Sequence, residues 1–185
     1  MVPITTQRLL LRAFRPEDGP ELYEYLSQEE VVHYEPYGVF SLEDSLAESR
    51  RRAGDPAFIA VCQRESGKLI GNLYFQRQQP AEYRTWELGY VFSGNVQGQG
   101  YAAEACAALL RHAFTQLEVR RVTAQCNPEN TASWRLLERL GLRREGFSRE
   151  TGYFKTDAAG QPKWHDTYAY GVLAREWLEQ DRPME

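Results

Sequence analysis

Between a strand-like and a helix-like stretch lies Gln97-Gly98-Gln99-Gly100-Tyr101-Ala102, a loop built to receive an anion. Its two glycines let the backbone turn tightly and bring amides close to a ligand. The helix that follows leaves its first N–H groups unpaired and puts a partial positive charge at the same point, so no Lys or Arg is needed there. The loop holds none. Glu87 is the second group with chemical potential, a carboxylate in an otherwise apolar strand shortly before the loop. In a partly buried site it can accept a proton, directly or through a water; pointing at solvent or pairing with an arginine is the alternative. Asn130 and Ser133 open a later helix, where capping explains both and is compatible with facing a ligand.

The nature of the anion is narrowed by what is missing. A Walker loop needs Gly-Lys-Ser/Thr, which is absent, and a dinucleotide fingerprint needs a third glycine where this chain has Ala103. A plain strand-to-helix turn also carries glycines, so the loop alone decides little.

The elements that must position these groups follow from periodicity. Arg8–Phe14 reads as a first strand, and Pro16-Glu17-Asp18 opens a helix carrying Leu22, Tyr23 and Leu26. Val31–Phe40 reads as a loop, and Ser41-Leu42-Glu43-Asp44 has capping-box spacing for a second helix with Arg50-Arg51-Arg52 in its last turn. Strands over Ala57–Gln63 and Lys68–Gln76 join through a Ser66-Gly67 hairpin turn. A third runs from about Arg84 to Phe92, with Trp86, Leu88, Tyr90 and Phe92 on one face and Glu87, Gly89 and Val91 on the other. A helix from about Gly100 to Leu117 places Ala102, Cys106, Leu109 and Ala113 on one stripe. Strand Arg120–Cys126, helix Thr131–Leu140 stopped by Gly141, and strands Glu145–Lys155 and Trp164–Val172 complete the chain. Trp134, Leu136, Leu137 and Leu140 read as core. The order predicts one α/β domain over residues 1–185, a mixed sheet covered by helices.

Composition sets outer limits. The 185 residues suffice for one cored domain, and 42% apolar content with 11 Tyr, 8 Phe and 4 Trp excludes a disordered chain. A formal charge of −4 argues against nucleic-acid or anionic-membrane binding and suits a cationic amine partner. The opening MVPITTQRLLLRAF has an apolar run of three residues interrupted by Arg8 and Arg12, which does not read as a signal peptide. Cys62, Cys106 and Cys126 are widely spaced among apolar neighbours and read as buried free thiols of a cytoplasmic protein; His33, His112 and His165 lack metal-ligand spacing with them, and no metal is expected.

Several separated motifs agree with one family in order and spacing. The chain resembles the GNAT superfamily of acetyltransferases, in the branch of the ribosomal-protein N-terminal acetyltransferases of RimJ/RimL type. That family's Q/R-x-x-G-x-G/A signature is matched by Gln97, Gly100 and Ala102. Glu87-Leu88-Gly89-Tyr90, Gly98–Ala105, Asn127–Ser133, Glu138–Leu142, Thr6–Phe14 and Asp166–Trp177 fit the same branch, so the likeness spans nearly the whole chain. Val96 departs from it, because the branch often has an aromatic residue there.

The resemblance implies a mostly antiparallel mixed sheet flanked by helices, acetyl-CoA as co-substrate with no metal, and a primary amine acceptor, either a small molecule or a protein N-terminus. The active form would be a monomer or homodimer. Gln97, Gly98, Gln99, Gly100, Tyr101 and Ala102 would hold the pyrophosphate, and the freed backbone near Val91–Ser93 the pantetheine arm. An N–H of Val91 or Phe92 would face the thioester oxygen. Glu87 would be the base, Ser133 would return a proton to the coenzyme sulfur, and Asn130 would contact the pantetheine amides. Arg135 and Arg139 would supply charge for the 3′-phosphate, with solvated surface arginines as the alternative. Tyr34 and Tyr37 would wall the acceptor cleft, as would Tyr74 if its register allows. A CoA-binding protein without turnover shares this pattern; the joint presence of Glu87 and Ser133 favours the enzyme.

Overall fold

In the computed structural model, which describes residues 3–179, alternation in the first strand decides which face of the sheet receives which helices. Leu9 and Leu11 of β2 (Leu9–Ala13) point to one face and are fully buried. Arg12 points to the other, where it forms a nearly buried ion pair with Asp18 at 2.7 Å. Asp18 closes a short 3-10 turn, Pro16–Asp18, that leads into α1 (Gly19–Leu26). In α1 the buried aromatic residue is Tyr25, not Tyr23, which is exposed. Leu22, Tyr25 and Leu26 form the i, i+3, i+4 face that the sheet requires.

The expected loop at Val31–Phe40 begins two residues later, at His33, after a short helix α2 (Glu29–Val32). Helix α3 (Leu42–Ala53) has the predicted cap. Ser41 Oγ accepts from the Asp44 N–H at 3.1 Å, and Asp44 Oδ2 accepts in return from the Ser41 N–H at 3.0 Å. Its last-turn Arg52 is buried rather than solvated, held by Glu48 at 2.7 Å and by Asn72 Oδ1 at 3.0 Å.

Strands β3 (Phe58–Gln63), β4 (Leu69–Arg77), β5 (Thr85–Phe92) and β6 (Arg121–Cys126) continue the sheet. A long hairpin of β7 (Arg143–Thr156) and β8 (Pro162–Leu173) closes it. With a two-residue β1 (Ile4–Thr5) at one edge, the order is β1-β2-β3-β4-β5-β6-β8-β7. Every pairing is antiparallel except β5 with β6. Those two run parallel because α4 (Tyr101–Gln116) crosses over between them. Cys106, Leu109 and Ala113 of α4 are fully buried, and Ala102 packs beside them.

Helix α5 (Thr131–Arg139) shares that face, as does a C-terminal helix, α6 (Ala174–Glu179), that periodicity did not reveal. Trp177 of α6 donates from Nε1 to the Leu140 carbonyl at 2.9 Å, just before Gly141 turns the chain at φ +85°. Leu137 and Leu140 are core as expected, whereas Trp134 and Leu136 only border it. One face thus carries α1–α3 and the other α4–α6, a mixed α/β fold with a mostly antiparallel sheet. No helix among the described residues is long and apolar enough to cross a membrane.

Candidate active site

The sheet opens at the parallel junction of β5 with β6. β5 pairs with β6 from Thr85 to Glu87 and no further, while β6 continues along β8 to the pair Cys126–Tyr168. β5 meanwhile stays with β4 up to Phe92. Beyond Glu87 the two strands therefore part, and a cleft of about 770 Å³ fills the gap.

The ladder fixes which backbone groups face that gap. The Ser93 N–H donates to the Ile70 carbonyl at 2.9 Å and the Gln78 N–H to the Thr85 carbonyl at 2.8 Å. In an antiparallel pair, bonded positions alternate, so the odd-numbered residues of β5 turn their N–H and C=O groups to β4. Tyr90 and Phe92 turn theirs to the open side. Of the two expected amide donors, Val91 is engaged with its register partner Asn72, and Phe92 faces the seam.

Glu87 stands where the strands separate and lines the cleft; its Oε2 accepts from Gln78 Nε2 at 3.0 Å. Tyr74 lines the same cleft, because its register partner is Gly89, which leaves room above the strand. Burial pushes the Tyr74 phenol up, and the charge of Glu87 adds to it, so the two side chains sense each other. Tyr34 and Tyr37 also line the cleft. Between them lies Glu35, a carboxyl that burial pushes up to about 7 against the opposing effects of a Tyr37 hydrogen bond and the Arg52 charge.

On the far side, Asn130 is the N-cap of α5, its Oδ1 accepting from the Ser133 N–H at 3.1 Å. Capping is therefore real and leaves both residues on the cleft wall. Ser133 Oγ lies 2.9 Å from the Tyr90 hydroxyl and also meets the Cys126 thiol. Cys62 and Cys106 are buried as expected, but Cys126 is half-buried and lines the cleft. The β7–β8 hairpin covers the mouth with Phe154, Trp164 and His165, and Lys155 ties it to Glu29 of α2 at 3.1 Å. His165 Nε2 is buried without a hydrogen-bond partner among the described residues.

The glycine loop lies outside the cleft lining, at the start of α4. Gly98 and Gly100 take φ +75° and +81°, the left-handed region where a side chain is strained. The amides of Gly100, Tyr101, Ala102 and Ala103 find no acceptor among the described residues. Gln99 turns its carbonyl to Arg8 Nη1 at 3.0 Å, and the Arg8 guanidinium rests 4.4 Å from the centre of the Tyr101 ring. Arg8 is held in turn by Glu104 at 2.6 Å. Burial raises that carboxyl, but bonds from Thr6 and Arg8 outweigh it and keep it below its ordinary value. Arg135 is exposed with its guanidinium 5.4 Å from the Trp134 ring centre, and Arg139 is exposed on the last turn of α5; neither lines the cleft.

Comparison with known proteins gives this geometry its setting. A family described as Acetyltransferase (GNAT) domain matches residues 8–143. The chain belongs to the GNAT acetyltransferase family. The uncharacterized N-acetyltransferase YnaD of Bacillus subtilis is 39% identical over 175 residues, covering 94% of this chain and 98% of that protein. The ribosomal protein uS5-alanine N-acetyltransferase of Escherichia coli is 23% identical over 187 residues, covering 95% and 93%. The crystal structure of an acetyltransferase (GNAT family) from Bacillus anthracis superimposes with a TM-score of 0.82 at 33% identity, covering 94% of this chain and 99% of that one.

This GNAT N-acetyltransferase brings Glu87, Tyr34, Tyr74, Val91, Asn130 and Ser133 to one cleft. Sequence reasoning passed over three further residues. Tyr90 fits an apolar strand face so well that its hydroxyl carried no signal. Arg8 has no spacing that links it to Gly100. Glu35 did leave one, a lone carboxylate among His33, Tyr34, Pro36 and Tyr37.

Proposed function

We propose that the cleft transfers an acetyl group from acetyl-CoA to a primary amine by direct attack, with both substrates bound together. The observation that carries this reading is the parting of β5 from β6, with Glu87 at its apex and Ser133 on its far wall. An opened seam flanked by a carboxylate and a hydroxyl suits a reaction that must take one proton from a nucleophile and give one to a leaving group. The residues present fit coenzyme A. Four unpaired amides at the start of α4 suit its pyrophosphate, with Gln97, Gly98 and Gln99 shaping the approach. The unpaired edge of β5 at Tyr90 and Phe92 and the cap residue Asn130 suit its amide-bearing arm. Arg135 and Arg139 of α5 are the partners of the 3′-phosphate in this reading.

Bound acetyl-CoA supplies an activated acetyl group as a thioester. Glu87 takes the proton that an ammonium must lose before it can attack, for an α-amine pKa is near 8 and that of lysine near 10.4. The Phe92 N–H donates to the oxygen on which charge develops. Ser133 returns a proton to the departing sulfur. Tyr34, Tyr37 and Tyr74 wall the acceptor side, where aromatic faces and the carboxylate of Glu87 suit an ammonium group. A protein N-terminus is one acceptor of that kind, in keeping with the likeness to an alanine N-acetyltransferase of a ribosomal protein; a small-molecule amine is the other.

The test is thiol release from acetyl-CoA against peptides with N-terminal Ala or Ser, polyamines, amino acids and aminoglycosides. Turnover with at least one is expected, and silence across all four classes would refute the reading.

A further inference from the structure

Tyr90 lies on β5 at the open seam, facing the first turn of α5. Its hydroxyl is 2.9 Å from Ser133 Oγ and 3.0 Å from the Ser133 carbonyl oxygen. A phenol has one proton and can give it to only one of these acceptors at a time. The contact therefore has two arrangements. In one, Tyr90 donates to the carbonyl, and the Ser133 hydroxyl can donate back to Tyr90, turned from the cleft. In the other, Tyr90 donates to Ser133 Oγ, and the Ser133 proton is free to point into the cleft that both residues line.

We propose that Tyr90 is a positioning residue that aims the Ser133 proton, donating to Ser133 Oγ as negative charge builds on a leaving group in the cleft. The inference rests on the reading of Ser133 as the proton source. Burial keeps the phenol well above its ordinary pKa, so Tyr90 holds its own proton and is not itself the proton source. The same burial raises the Cys126 thiol, which stays protonated beside the same oxygen. The bond from amine nitrogen to acetyl carbon forms, and the carbon–sulfur bond breaks with its electron pair on sulfur. Sulfur takes the Ser133 proton and Ser133 Oγ is reprotonated from solvent, while the nitrogen loses two protons, the first taken by Glu87 and both ending in solvent.

The test compares Tyr90→Phe, Ser133→Ala and the double variant, using the panel amine with the fastest wild-type turnover. A hydrogen bond to a developing charge is worth about tenfold in rate, whereas loss of the proton donor itself is worth about a hundredfold or more. Tyr90→Phe should lower kcat about tenfold with both KM values unchanged, and the double variant should be no slower than Ser133→Ala. Calorimetry should find the Kd for free CoA within about twofold of wild type in all three. Losses that multiply in the double variant would overturn the inference while leaving Ser133 in its role. So would a Tyr90→Phe effect confined to KM, or a tenfold weaker Kd. A Ser133→Ala variant with wild-type kcat, or a wild type silent with every amine, would overturn both readings.

Discussion

Glu35→Gln isolates the one carboxyl of the cleft that burial holds near neutrality. The ordinary value for such a group is 4.5, and in the folded protein it is pushed up to about 7. The folded state thus holds the Glu35 proton more tightly than the unfolded chain does. Below about pH 4.5 both states are protonated and Glu35 costs nothing. As pH climbs to about 7 the unfolded chain ionises first, and stability falls. The gap between the two values corresponds to about 3 kcal/mol. Glutamine keeps the volume and can still accept from the Tyr37 hydroxyl, while Arg52 keeps Glu48 and Asn72 as partners. Urea melts of both proteins at pH 5, 6, 7 and 8 provide the assay, and groups that titrate alike in both cancel in the difference. The variant should gain about 3 kcal/mol on the wild type between pH 4.5 and 8, most of it before pH 7.5. Parallel pH curves would refute the assignment of a raised pKa to Glu35.

Three further outcomes are expected. Glu87→Gln should lower kcat by about a hundredfold or more, and a variant with wild-type kcat would exclude Glu87 as the base. Gly100→Ala, at φ +81° with its new Cβ 3.4 Å from Arg8 Nη2, should destabilise by about 1–2 kcal/mol in thermal or urea melts. Gly98→Ala, with open space around it, should show only the backbone part of that loss, and the pair of melts separates strain from crowding. Leu137→Ala removes a fully buried side chain between α5 and the sheet and should cost about 2–5 kcal/mol, read by denaturant titration.

How far the chain could be read without its fold differs from element to element. The cap at Ser41, the strand alternation of β5, the buried stripe of α4 and the stop at Gly141 are set by neighbours within a few residues, so their signals are local. The glycine loop and its helix were legible for the same reason, as was Glu87 as a charge out of place in an apolar strand. Helix α6 is not legible because six residues carry too little periodicity, and in α1 the helical face buries Tyr25 and leaves Tyr23 exposed.

What the sequence determined by itself is local: which loop turns, which helix end is left with open amides, and which residues cap α5. Only the tertiary structure decided what those groups meet. Register along β4 sends the Phe92 amide, and not that of Val91, into the seam. Parting of β5 from β6 sets Tyr90 against Ser133 across 43 residues of chain, and packing at the sheet edge sets Arg8 against Glu104 across 96. Burial beside Tyr37 and Arg52 changes the acidity of Glu35. Hydrogen-bond direction, proximity across the sheet and desolvation all depend on distances between elements, and no spacing along the chain encodes those distances.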